Sequence, residues 1–588
     1  MKDGYILDCV NGSEVRATPE EVQAVQPLCK ILMDDYGYPA EVISSHPQYR
    51  VKVRPSDTKK EYPVDIAVFK SERKTDDDCY IIGECKKNTR KDGLEQLKDY
   101  LRFSKAEIGV WFNGSERAYI RKYYTDGKVE FQTIPNIPKY GQTLADVGKL
   151  TKDMLNPAPH LKATFIAIRN QLAANAVGVT RDEVLAQQMI NIIFCKIYDE
   201  NFTAKGESLR FRAEVDEKPE VVKERIIELF KDVKEWNKTV IDKNDSITLD
   251  AVSIAYVVGE LQNYSLVEAP RDSVADAFEI FIGHALKGGQ GQFFTPRNVV
   301  RMMVEILDPS PDDYVIDPAC GSGGFLEEIL RYVFKKIDIK KDEYGWSNDF
   351  LGEQRRMAVE YISGIDKDYF LSKVARAYMA IFGFGNSNIY CEDSLENPKH
   401  WSAETRNHIA LGKYNILLTN PPFGSKIPVT GEEKLGQYDL ACKWKTDKKT
   451  SSWTKGKLKD SESPQVLFIE RDLELLADYG KMGIVLPDGV FGNETFGYIR
   501  NWLCTKGRII GIVDIPVETF QPHTATKTSI LFFQKLPKDK IPERYDIFMA
   551  IADTCGHDRR GNEIESDDIQ KVAAAFHKWE SDHPFEEE

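Results

Sequence analysis

Two short apolar stretches, Tyr314–Asp317 and Tyr414–Thr419, each run straight into residues that cannot extend a strand. The first enters the small-residue loop Pro318-Ala319-Cys320-Gly321-Ser322-Gly323-Gly324, and Phe325–Leu330 then begins a helix. The second enters Asn420-Pro421-Pro422-Phe423. Strand, tight loop and helix in succession predict an open, mostly parallel α/β sheet, because parallel neighbours need helical crossovers and bury both faces. Apolar strands alternate with helical patterns from Gly291 to about Lys535, which extends the same prediction. Glycines at the carboxyl end of the first strand let the backbone approach a ligand closely.

Two further strands end in acids at that edge of the sheet. They are Ile362-Ser363-Gly364-Ile365-Asp366 and Asn388-Ile389-Tyr390-Cys391-Glu392-Asp393. In such a sheet one carboxylate can hold ribose hydroxyls and the next can accept from an adenine amino group. Asp349 competes with Asp366 for the ribose role, since 49 residues separate Asp317 from Asp366.

Asn420-Pro421-Pro422-Phe423 suits one chemistry. The exocyclic amine of adenine is a poor nucleophile because its lone pair is delocalised into the ring. It attacks a methyl sulfonium better when acceptors bind its hydrogens as positive charge develops. The Asn420 side-chain oxygen and the Pro421 carbonyl are such acceptors, and Pro422 stiffens the carbonyl's position. Phe423 offers a face on which an extruded base can stack. The same chemistry applies to N4 of cytosine.

This stretch resembles the M subunit of type I restriction-modification systems, a family of gamma-class adenine-N6 DNA methyltransferases. The resemblance runs from about residue 150 to 540 and includes Gly291-Gln292-Phe293-Phe294-Thr295-Pro296, which in that family closes over the methionine part of the cofactor. It implies that Thr295, Asp317, Gly321, Asp366 and Asp393 contact S-adenosyl-L-methionine, with Gln292, Phe293, Phe294, Pro296, Ala319, Cys320, Ser322 and Gly323 beside them. Thr528–Phe533 would be the final, antiparallel strand.

Upstream, Val64-Asp65-Ile66-Ala67-Val68-Phe69 and Cys79-Tyr80-Ile81-Ile82-Gly83-Glu84-Cys85-Lys86 flank a charged connection. Paired as an antiparallel hairpin centred near Lys74–Thr75, they place Asp65 and Glu84 at one end of the ribbon. Glu84 and Lys86 share a face because they are two residues apart. Two carboxylates can hold Mg²⁺, and the lysine can help activate water. The arrangement resembles the PD-(D/E)xK nuclease fold, in particular the N-terminal domain of type I R subunits. Gln96 and Tyr100 look like an accessory motif, and Glu21 is a further metal ligand in this reading. The rival reading is a nuclease-like fold that only docks DNA or a partner.

The fold expected is therefore multidomain α/β: a PD-(D/E)xK-like domain over 1–140, a helical domain over 146–285, a Rossmann-like methyltransferase domain over 286–540 and a tail over 541–588. In the first domain, Val22, Val25, Leu28 and Leu32 are expected on the buried face of a helix. Scattered cysteines without a C-x-x-C pair, no apolar run of membrane-spanning length and no signal-like N-terminus fit a cytoplasmic protein. The lack of a G-x-x-x-x-G-K-[ST] loop excludes a motor of that type.

The net charge of −14 argues against DNA contact by the whole surface. Residues 443–459, with seven lysines against one aspartate and Trp444 and Trp453 between them, are either a solvated loop or a DNA contact. The short remainder after the last expected strand leaves target choice to a separate specificity subunit, through which two copies could pair. The expected partner is double-stranded DNA, and the layout resembles type IIB systems.

Overall fold

The computed structural model of the chain describes residues 2, 4–52, 61–157, 159–179, 181–238, 240–269, 273–274, 277, 280, 281, 283, 295–382, 387–424, 428–446, 452–521 and 524–585. It divides into two compact units, Met1–Gly288 and Gly289–Glu588. Among the described residues no helix is long and apolar enough to cross a membrane.

The first unit holds a six-stranded sheet of β1 (Ile43–Ser44), β2 (Ile66–Phe69), β3 (Cys79–Cys85), β4 (Ile108–Phe112), β5 (Arg117–Thr125) and β6 (Lys128–Thr133), in sequential spatial order. Only β3 and β4 pair in parallel, and helix α2 (Leu94–Phe103) makes their crossover. In the β2–β3 hairpin Ile66 faces Gly83 and Ala67 faces Ile82, the register the sequence predicts. Every residue of β2 and β3 is buried, so this ribbon is central rather than a solvated edge.

Helix α1 (Gln26–Asp34) buries Leu28 and Leu32 and is preceded by a wide π-helical turn over Glu21–Val25. Val22 is 49% exposed, against expectation. The extra residue in that wide turn rotates it off the buried face, and Glu21 is buried instead.

Four helices follow: α3 (Leu161–Asn175), α4 (Asp182–Phe202), α5 (Pro219–Trp236) and α6 (Ala251–Leu261). They belong to the same compact unit as the sheet. Arg117 on β5 and Glu260 on α6 form an ion pair with both side chains buried. Asn136 Nδ2 donates to the Gly259 carbonyl at 2.7 Å, and Tyr264 OH to Asp35 Oδ2 at 2.6 Å.

In the second unit α7 (Arg297–Leu307) precedes β7 (Val315–Asp317), α8 (Gly324–Tyr344), α9 (Asn348–Glu360), β8 (Ile362–Asp366), α10 (Tyr369–Phe382), β9 (Asn388–Cys391) and β10 (Tyr414–Thr419). Then come α11 (Pro464–Leu475), β11 (Leu476–Pro487), α12 (Gly497–Cys504), β12 (Gly507–Asp514), β13 (Thr528–Lys535), β14 (Phe548–Ile551) and α13 (Ile569–Asp582). The eight strands lie in the order β9-β8-β7-β10-β11-β13-β12-β14. All pairings are parallel except those of β13, which runs against both neighbours. The order reverses between β7 and β10, and a doubly wound sheet opens a crevice at that point, outside the carboxyl ends of its strands.

Residues read from the sequence as a tail are structured. Strand β14 extends the sheet, and Phe548 packs on Phe576 and Trp579 of α13. Helix α13 covers α7, where His577 Nε2 lies 2.9 Å from the Glu305 carbonyl. The strand is only four residues long with one face open, so its pattern does not stand out from a loop.

Replacing Glu260 by Ala strands a buried guanidinium, which costs about 3–5 kcal/mol. Calorimetric unfolding of the full chain should show a lower transition temperature in E260A. The paired replacement R117M/E260L should recover most of the loss.

Candidate functional site

A cavity of about 400 Å³ occupies the crevice at the carboxyl ends of β7, β8, β9 and β10. Its wall includes Thr295, Asp317, Ala319, Cys320, Gly321, Ser322, Asp366, Asp393 and Asn420–Phe423. The structure thus brings together at one crevice residues that span more than a hundred positions of sequence. Gly323 is the left-handed N-cap of α8, and Pro296 is the N-cap of α7. Gln292, Phe293 and Phe294 lie outside the described residues.

The strand ends are tied to one another. Thr419 Oγ1 donates to Asp317 Oδ1 at 2.7 Å, and the Ala319 amide donates to the same oxygen at 3.0 Å. Asp366 accepts from the Gly321 amide at 2.9 Å and from the Asp368 amide at 2.8 Å. That pair of bonds bends the glycine loop over the end of β8. Gly321 takes φ +53°, and a side chain built there would meet nothing within 4 Å, so its open side faces free space. Asp349 sits exposed in the first turn of α9 and does not line the cavity, so of the two rivals only Asp366 reaches it.

Asp393 accepts from Lys434 Nζ at 2.6 Å and from the Leu395 amide at 3.0 Å. Lys434 lines the cavity and was missed in the sequence. It lies 41 residues from Asp393 in a segment with no pattern of its own.

Asn420 is held by its amide nitrogen, which donates to Thr295 Oγ1 at 3.0 Å. Its Oδ1 is buried and has no hydrogen-bond partner among the described residues. A buried acceptor left unpaired costs roughly 1–3 kcal/mol, so this atom is poised for a donor that the described residues do not supply.

Burial pushes the Asp317 carboxyl up to about 7, against the opposing bonds from Thr419 and Ala319. Burial also raises Asp366, and it drives Asp472 on α11 well above the usual carboxylate range. Neither Asp472 oxygen has a hydrogen-bond partner among the described residues.

A second group of polar side chains lies in the first unit. Asp65 Oδ2 accepts from the Cys85 amide at 2.7 Å, and Lys86 Nζ donates to Glu84 Oε1. Glu84 and Lys86 are buried. Burial and the neighbouring Asp65 push Glu84 up to about 7, although Lys86 opposes the shift. Burial raises Asp65 as well. Gln96 Nε2 donates to Tyr100 OH at 2.5 Å on α2, and Tyr100 feels the charges of Glu84, Asp65 and Lys86.

Glu21 turns away from this group. It accepts from Gln26 Nε2 at 2.8 Å and lies 3.1 Å from His46 Nε2, in a cluster with Asp8. The neighbouring Glu20 adds its negative charge to Asp65 and Glu84. Glu21 also adds its charge to Asp65.

The sheet order with its one reversed strand, and a crevice lined by a glycine loop and acids, define the second unit as a Rossmann-like methyltransferase fold. The chain belongs to the N-6 DNA methylase family, whose model matches residues 269–587. Residues 19–138 match the model of the type I restriction enzyme R protein N terminus.

Among curated proteins, the type I restriction enzyme EcoEI methylase subunit of Escherichia coli is 27% identical over 371 residues, covering 62% of this chain and 62% of that protein. The MjaVII methylase subunit of Methanocaldococcus jannaschii is 27% identical over 325 residues, covering 53% and 49%. The chain thus spans about half to three fifths of the length of these relatives. A chain from a solved type I R-M system superposes with a TM-score of 0.50 at 18% identity, covering 70% of this chain and 82% of that one, which supports the fold.

With its carboxyl raised to about 7, Asp317 keeps a proton in the folded chain that it releases on unfolding once pH exceeds the usual carboxylate range. Its contribution to stability is therefore fully present at low pH and is lost as pH rises toward and through 7. The unfolding midpoint of the ligand-free chain should fall less steeply between about pH 5 and pH 8 in D317N than in the wild type. Parallel slopes in the two proteins would show that Asp317 holds no such proton.

Proposed function

We propose that the chain is the methylating subunit of a restriction-modification system, transferring a methyl group to N6 of adenine in double-stranded DNA selected by a separate specificity subunit. The observation that carries this reading is the buried Oδ1 of Asn420 at the wall of the crevice, which has no hydrogen-bond partner among the described residues. An extruded adenine brings the missing donor: its amine can give one hydrogen to Asn420 Oδ1 and the other to the Pro421 carbonyl. The nitrogen lone pair is then freed to attack while positive charge grows on it. Thr295 fixes the Asn420 amide so that the acceptor points the right way without reorganising. Phe423, also in the wall, offers the ring against which the base stacks.

The residues present fit S-adenosyl-L-methionine as the second ligand. When bound, it supplies a methyl group activated on a positively charged sulfur. The open side of Gly321 leaves room for a ligand against the backbone, and the cavity has the size of a small-molecule site. Asp366 and Asp393 would stand at its ribose and adenine ends, with Lys434 holding Asp393 in place. The names of the relatives as methylase subunits support a separate protein for target choice.

A specific observation favours a second activity. Asp65 and Glu84 converge beside Lys86 at one end of the β2–β3 hairpin, and both carboxyls are raised. A divalent cation such as Mg²⁺ would relieve that cost, with Asp65 and Glu84 as its ligands and Lys86 free to face a scissile phosphate. In this reading the first unit cuts unmodified DNA; in the rival reading it docks DNA or a partner.

Replacing Asn420 by Ala should lower methyl transfer at least a hundredfold while calorimetric binding of S-adenosyl-L-methionine persists, since the lost bond forms only to the reacting amine. Near wild-type methylation by N420A would remove Asn420 from the chemistry.

Cleavage of unmethylated target DNA by the chain with its specificity partner should need a divalent ion. It should disappear in D65A, E84A and K86A, with methylation intact in all three. No cutting by the wild type under any metal condition would leave docking as the role of the first unit.

A further inference from the structure

The lysine-rich run is a built element. Cys442–Thr446 and Trp453–Leu458 pair as an antiparallel ribbon in the second unit. Its inner side is fastened to the body. Trp444 stacks on Tyr498 at 5.9 Å between ring centroids, and Trp453 lies 6.1 Å from the same ring. Trp444 Nε1 donates to the Asp439 carbonyl at 3.2 Å, and Lys455, directly opposite Trp444 in the ladder, pairs with the Asp439 carboxylate. The tryptophans between the lysines thus serve as anchors.

The outer side is different. Lys443 and Lys445 flank Trp444 and so point away from the body. The register shifts between Trp444 and Cys442, and the extra residue on the opposite strand turns Lys457 outward beside Lys443. All three are exposed, and no carboxylate of the described residues pairs with them.

The ribbon stands at the rim of the crevice. It is inserted between two stretches of the cavity wall, Pro428–Lys434 and Pro464–Phe468. Directly after it, Ser461–Glu462 pairs with Val429–Thr430, two residues of that wall.

We infer that this outer face is a DNA-backbone clamp: Lys443, Lys445 and Lys457 bind phosphates of one strand flanking the base that enters the crevice. The inference rests on the methyltransferase reading above. In a chain of net charge −14, three cations with no carboxylate partner among the described residues, side by side on one ribbon, form a local attraction for a polyanion against an otherwise repelling surface. Residues two apart on a strand sit roughly 6–7 Å from each other, about the rise of two nucleotides along one strand of a duplex. The contacts carry no base information, so they position the duplex and leave sequence choice to another protein.

The test is the salt dependence of duplex binding by the purified full chain, read by fluorescence anisotropy. For K443E/K445E/K457E the affinity at low salt should fall at least tenfold. The slope of log K against log salt should shrink by roughly two to three, since each phosphate contact contributes about 0.9. K443Q/K445Q/K457Q should fall between the two, and calorimetric affinity for S-adenosyl-L-methionine should be unchanged in both variants, which reports an intact second unit. An unchanged slope in both variants overturns the clamp, while Asn420-dependent methylation in the same proteins keeps the methyltransferase reading. A wild type that shows neither salt-dependent binding nor, with its specificity partner, methylation overturns both.

Discussion

The side-by-side pairing of β7 with β10 is the constraint on which the second unit depends. Val315 faces Ile416 and Ile316 faces Leu417, although about a hundred residues separate the two strands. Because both run the same way, both strand ends open at one edge, and the glycine loop and Asn420-Pro421-Pro422-Phe423 are forced together. The Thr419–Asp317 bond then locks the two ends at hydrogen-bond distance inside the core. It is formed by two side chains with essentially no exposure, so it is worth more than a surface bond and would be costly to break on one side only.

Much of this was legible in the sequence because each strand is a continuous apolar run ended by residues with a defined reason to stop. Asp317, Asp366 and Asn420 announce themselves as polar residues at the ends of buried strands. Lys434 does not, because its importance comes from meeting Asp393 across the crevice, and nothing local records that meeting. Strand β14 escaped for a related reason: a four-residue edge strand alternates too briefly to stand out. Val22 was expected on the buried face because a regular helical period was assumed where the first turn is wide. Trp444 and Trp453 read only as part of a lysine-rich run, either a solvated loop or a DNA contact. The fold uses them to hold the ribbon down, and only the cations remain on the outside.

The carboxylates of the crevice have a double character. Asp366 and Asp393 are both spent on backbone or lysine partners before any ligand arrives. They shape the loop and the rim first, and a bound ligand would share them through remaining lone pairs. They are thus fixed in position, while Asn420 Oδ1 has no partner among the described residues. In the proposed reaction one set of groups builds the cavity, and the acceptor of Asn420 is the one whose hydrogen bond appears as the amine reacts.

Helix α13 lies on α7, yet about 260 residues separate them in the chain. During synthesis at roughly 5–20 residues per second, the apolar face of α7 therefore waits about ten to fifty seconds for its cover. Glu305, whose carbonyl lies 2.9 Å from His577 Nε2 in the finished protein, is without that partner for the interval. The packing of α7 is thus completed by a helix made long after it, so this part of the second unit cannot close as the chain emerges.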